Sequence, residues 1–213
     1  MNKKTISTIA LTLMSLFSFA GLLSLFGATV NLTSLTLLIG IVAYFVTRTA
    51  DEKKGFSFKD IPGFLKDWKT DILLVMPLVM NFICYILAKA VLPEFLAHLL
   101  ERISFISLNT VVLLVLELLI AALGEEIAWR GFYQTRLSKI ISFPAALICT
   151  AFLFSICHFA SGSLAVVLYD LVFIFINAIF YGLLYKRTGN ILISTLSHFL
   201  ANLFGIFGLF LIL

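Results

Sequence analysis

Three small groups of polar side chains interrupt otherwise apolar stretches of this chain. They are Glu125-Glu126-Ile127-Ala128-Trp129-Arg130, Phe154-Ser155-Ile156-Cys157-His158 and His198-Phe199-Leu200-Ala201-Asn202. Together they offer two carboxylates, a guanidinium, two imidazoles and an amide: groups that can move protons, anchor one another and donate hydrogen bonds to a developing negative charge. An ionised side chain at the centre of a membrane helix costs roughly 2.5–3.5 kcal/mol, so three unpaired ones would cost about 7–10 kcal/mol, as much as a whole domain's stability. The charges must therefore pair or line a polar cavity. On a helix Glu126 and Arg130 are i and i+4 and share a face with the acid on the N-terminal side, the favourable order for an ion pair. Glu125 then points about 100° away and is left for another partner. His198 and Asn202 also share a face, and Phe154 stands one turn before His158.

The elements that hold these residues are written in the composition. Of 213 residues, 62% are hydrophobic and 12% charged, against about 25% charged in a soluble domain. Apolar runs at about 5–28, 32–47, 71–92, 104–128, 143–160, 163–185 and 190–212 predict an all-α, polytopic transmembrane bundle of about seven spans. The runs lack the period-2 alternation of a barrel strand. The first run, after Asn2-Lys3-Lys4, continues past an ordinary signal-peptide core and reads as a span. With the N-terminus in the cytoplasm, thirteen Lys and Arg residues fall on the cytoplasmic side and only Lys89 and Arg102 on the other. Two connectors have the pattern of interfacial amphipathic helices. One carries Ile61, Phe64, Leu65 and Trp68 on one face, the other Phe95, Leu96, Leu99, Leu100 and Ile103. We read a single integral-membrane domain, residues 1–213, with N-terminal spans and connectors over 1–100 and the polar groups within 105–205.

Depth permits the groups to meet. At 1.5 Å per residue Glu125 lies roughly 16–21 Å from a boundary near Arg136 to Lys139, His158 about 24 Å from Ser142 and His198 about 16 Å from Arg187. All fall within a hydrocarbon core of about 30 Å. In order and on separate helices, Glu-Glu-x-x-x-Arg, Phe-x-x-x-His and His-x-x-x-Asn resemble the motifs of the CPBP family, the CAAX proteases and bacteriocin-processing enzymes also called Abi. The resemblance covers about residues 105–205. It implies an intramembrane endopeptidase in which Glu125 activates water as general base, His158 assists, and His198 and Asn202 stabilise the oxyanion, with Glu126 and Arg130 supporting. The adjacent carboxylates could exchange roles without a change of sequence. No cofactor is favoured; as an alternative, Glu125, His158 and His198 could ligate Zn2+, with a fourth position open to water, although no His-Glu-x-x-His occurs.

Other classes stay in view. A scaffold or bacteriocin-immunity protein could use the same fold to bind a partner without catalysis, and a transporter could use intramembrane charges as a proton relay, though no repeat supports it. Glu117, Asp170 and Asn177 read as hydrogen-bonded polar residues, and His98 as an interfacial one. Cys84, Cys149 and Cys157 are odd in number and sit in apolar runs, against a disulfide framework. No phosphate loop or nucleic-acid module is present. The expected partners are a peptide or membrane-protein substrate and the lipid bilayer, in a cell membrane, with a bacterial plasma membrane the best fit; oligomeric state is not legible.

Overall fold

Helix boundaries follow the capping residues. The structure, a computed structural model, describes residues 2–27, 32–49, 52–64, 66–102 and 111–212. Asn2 Oδ1 accepts from the Thr5 N–H at 2.8 Å and opens α1 (Lys3–Phe17), which passes into a 3-10 segment, Ala20–Phe26. After α2 (Thr33–Thr47) and a short turn at Glu52–Phe56 comes the four-residue α3 (Ile61–Phe64). Asp67 caps α4 (Trp68–Val91), which carries Pro77 in its interior, and α5 (Glu94–Arg102) follows. Next come α6 (Val111–Glu126), a π-helical segment (Ile127–Gln134) and α7 (Thr135–Leu137). α8 (Phe143–Cys157) starts with a proline in its first turn, where the missing N–H costs nothing. α9 (Leu164–Thr188) is capped by Ser163 and ends at Gly189, whose φ of 62° is a left-handed conformation suited to glycine. α10 (Ile191–Ile212) completes the chain.

Each of the seven apolar runs corresponds to a helix among the described residues. Four helical stretches, Lys3–Phe26, Trp68–Val91, Leu164–Thr188 and Ile191–Leu209, are long and apolar enough to cross a membrane. α2 and α8 are shorter, at 15 residues each, a rise of about 22 Å that falls short of a hydrocarbon core of about 30 Å. Large apolar side chains such as Leu16, Leu38, Ile86, Ile120 and Leu168 lie exposed on the outside, as a lipid-facing surface requires. Inside, α4 packs on α9 and α10, α8 on α9, α1 on α2, α6 on α10, and α2 on the π segment. Gly40 permits the last contact, since a Cβ there would come within 2.6 Å of the Ala128 Cβ.

The two amphipathic connectors take different forms. In the first, helix is limited to Ile61–Phe64 before α4 begins at Trp68; Ile61 and Phe64 turn inward onto Leu74, Leu184 and Ile193, while Trp68 is exposed. Leu65 lies outside the described residues. The second forms α5, but Phe95, Leu96 and Leu99 are buried against Cys84, Tyr85, Ala88 and Val166, so its apolar stripe is covered by protein. Ile103 is outside the described residues. His98 is accordingly buried, with Nε2 3.9 Å from Asp170 Oδ2.

Charged residues clamp one end of the bundle. Glu52 receives Arg136 at 2.6 and 2.9 Å and Lys139 at 3.0 Å, and Arg136 also donates to Thr47 O at 3.0 Å. Burial alone would raise the Glu52 pKa, but hydrogen bonds from Arg136, the Thr49 N–H and Lys139 outweigh it and hold the carboxyl at about 2. Asp67 pairs with Arg187 at 2.5 Å, which with the Thr70 hydroxyl lowers its pKa.

Candidate active site

The polar groups meet where α6 and its π segment, α8, α9 and α10 come together. Glu126 and Arg130 are fully buried, with Arg130 Nη1 2.9 Å from Glu126 Oε1. Arg130 also donates through Nη2 to Ala178 O at 3.2 Å, and its guanidinium lies 4.6 Å from the centre of the Phe154 ring and 5.3 Å from that of Tyr181. Burial without such partners would be prohibitive; with them the ion pair becomes an anchor between helices. The π turn containing Arg130 is closed by Thr135, whose Oγ1 donates to Arg130 O at 2.8 Å. Gln134 Nε2 ties the end of the segment to Gly182 O at 3.1 Å.

His198 shares Glu126 with Arg130. Its Nδ1 is 3.0 Å from Glu126 Oε1, and its Nε2 is 3.6 Å from Glu125 Oε2. His158 ends α8, where its Nδ1 is 2.8 Å from Phe154 O and its Nε2 4.0 Å from the same Glu125 oxygen. A backbone carbonyl and an Arg-paired carboxylate only accept hydrogen bonds, so each imidazole carries a proton on Nδ1. In the neutral rings both Nε2 lone pairs are then turned toward Glu125. Glu125 Oε2 is shielded and accepts no hydrogen bond from the described residues. Beside it lies a recess lined by Thr33, Thr36, Leu37, Trp129, Cys157 and His158, with room for little more than a water molecule. The Thr33 hydroxyl donates to Cys157 O at 3.2 Å and holds the α2 wall to the end of α8.

Four of the residues singled out by sequence, Glu125, Glu126, His158 and His198, are thus brought together with Arg130. Asn202 stands one turn beyond His198 on α10, half-buried, and no hydrogen bond or ion pair joins it to the other five. His198, expected beside an oxyanion, is also the link between the two carboxylates. Asn177 lies apart from these groups, donating to Asn81 at 2.9 Å. Sequence reasoning missed Tyr181: its ring stacks on His198 with centroids 4.5 Å apart and planes 17° apart. Nothing in an aromatic-rich helix marks that tyrosine from the others. Glu125, His158 and His198 have the donor types of a zinc site, but no group of three His, Cys, Asp or Glu side chains among the described residues is arranged to hold a metal ion.

Residues 107–204, just under half of the chain, match the family described as type II CAAX prenyl endopeptidase, Rce1-like. This segment is similar to the CAAX-protease family. The match contains Glu125, Glu126, Arg130, His158, Tyr181, His198 and Asn202, while the α2 side chains of the recess lie outside it. No curated protein and no solved structure matches the chain. The family's description is that of an endopeptidase, and the matched segment takes in Leu164–Thr188 and most of Ile191–Leu209, two of the four helical stretches long and apolar enough to cross a membrane.

Proposed function

We propose that the protein is an intramembrane endopeptidase that hydrolyses a peptide bond with water activated by Glu125. The convergence of two Nε2 atoms on one shielded Glu125 oxygen, at 3.6 and 4.0 Å, carries this reading. Those separations exceed a direct hydrogen bond, and the recess beside Glu125 and His158 has room for a water. Glu125 takes a proton from the water as its oxygen bonds to the substrate carbonyl carbon, with His158 orienting the water. The tetrahedral oxyanion collapses, the C–N bond breaks, and the proton passes to the leaving amine. Asn202 and, once its Nε2 is protonated and can donate, His198 stabilise the oxyanion, which requires a substrate-bound arrangement in which the Asn202 amide approaches the reacting carbon. Arg130 keeps Glu126 in place, so that Glu126 orients His198 and Glu125 transfers the proton.

The substrate class we propose is a peptide precursor or membrane-tethered protein that reaches the site from the bilayer, in a bacterial plasma membrane with the N-terminus cytoplasmic. A bacteriocin or signalling-peptide leader is the form we favour. The test compares membrane and secreted peptides from cells carrying the wild type and Glu125→Gln. Loss of at least one product, with turnover reduced about a hundredfold or more, is expected. An identical peptide profile together with a retained phenotype would favour the non-catalytic scaffold. Activity is expected to survive chelators; loss on chelation with recovery on added zinc would replace the general-base role by a ligand role for Glu125.

A further inference from the structure

We propose that Tyr181 is a positioning residue for His198, a role that rests on the peptidase reading of the site. A hydrogen bond from Nδ1 to Glu126 fixes one edge of the imidazole but leaves the ring free to turn about that bond. Turning it swings Nε2 away from Glu125. The Tyr181 ring, 2% exposed, removes this freedom by lying nearly parallel to the imidazole, 4.5 Å away and inclined by 17°. Phe154 meets the same imidazole edge-on at 5.9 Å and 71°. The Arg130 guanidinium sits 5.3 Å from the Tyr181 ring, so one aromatic side chain from α9 bears on both the histidine from α10 and the cation from the π segment. Its backbone is held in turn, because the carbonyl of Ala178, one turn earlier, accepts from Arg130. The groups facing His198 are Glu125, Glu126, Phe154 and Tyr181, and of the two rings Tyr181 is the one that lies along the face of the imidazole.

A ring held for geometry affects turnover more than binding. With the peptide whose cleavage depends on Glu125 as substrate, Tyr181→Leu should lower kcat by about tenfold or more and leave KM within about twofold, since small displacements of a reacting group are costly. Tyr181→Phe keeps the aromatic face and should retain both parameters within about twofold. Wild-type kcat in Tyr181→Leu, or an equal loss in Tyr181→Phe, would overturn the proposal. Should the leucine variant fail to accumulate, or should no Glu125-dependent cleavage exist, the stack is tested in the wild type by NMR of labelled histidine. The His198 signals, identified by their loss in His198→Gln, are expected upfield from the tyrosine ring current; unshifted signals would sink the inference. Absence of any Glu125-dependent product would count against the peptidase reading alone.

Discussion

At the scale of single residues, Glu126 Oε1 holds the centre together, because it receives both Arg130 and His198. Removing one partner of a fully buried pair leaves an uncompensated charge, at a cost of about 3–5 kcal/mol. Arg130→Met should therefore lower thermal stability in detergent steeply. Glu126→Gln with Arg130→Met should lower it by less than the two single changes summed, because the double variant leaves no lone charge. Additive losses in that thermodynamic cycle would mean that the pair is not coupled. The Glu126–Arg130 contact was legible in the sequence because helical spacing puts i and i+4 on one face. The link from Glu126 to His198 was not, since 72 positions separate them and only the packing of α10 on α6 creates it. Spacing likewise put Asn202 beside His198 on the helix, but a shared face does not bring an amide to a carboxylate on another helix.

Among the elements, the π segment departs most from what the sequence suggested. Periodicity read one continuous α-helix through Glu125 and Arg130, because π turns are rare and the apolar residues on either side carry no mark of one. The Thr135 hydroxyl, which occupies the Arg130 carbonyl, gives a local chemical reason for the wider turn. The runs themselves were legible because lipid and protein both demand apolar side chains. What an apolar stripe faces was less so: the stripe of α5 could cover a membrane surface or, as found, α4 and α9. Likewise Pro62 and Gly63 confine helix in the first connector to a single turn. The closeness of α2 to the π segment yields a test at this scale. Gly40→Ala sets a methyl 2.6 Å from the Ala128 Cβ, an overpacking that costs about 1–3 kcal/mol. Ala128→Gly in the same protein should recover much of the loss; a denaturation midpoint unchanged by Gly40→Ala would show that the helices yield freely.

For the whole molecule, the Glu52 clamp joins the turn after α2 to α7 and the basic turn that follows it. Its carboxyl titrates at about 2 in the folded protein, below the ordinary glutamate value of about 4.3. The sign follows from linkage: the clamp's stabilisation is complete above the unfolded value and is lost as pH falls through about 4.3 toward 2. In acid titration followed by thermal melting, the wild type should lose more stability across that window than Glu52→Gln, which should start lower at neutral pH. Parallel curves would show that the clamp does not contribute.

The recess beside Glu125 is built from two stretches of chain with different histories of resemblance. Glu125, Trp129, Cys157 and His158 lie in the segment that matches the CAAX-protease family, whereas Thr33, Thr36 and Leu37 come from α2, outside it. The wall opposite Glu125 is thus supplied from outside the matched segment. On the proposed peptidase reading, chimeras that keep residues 107–204 and exchange the first two helices should retain the reaction with altered selectivity, which a comparison of their peptide products checks.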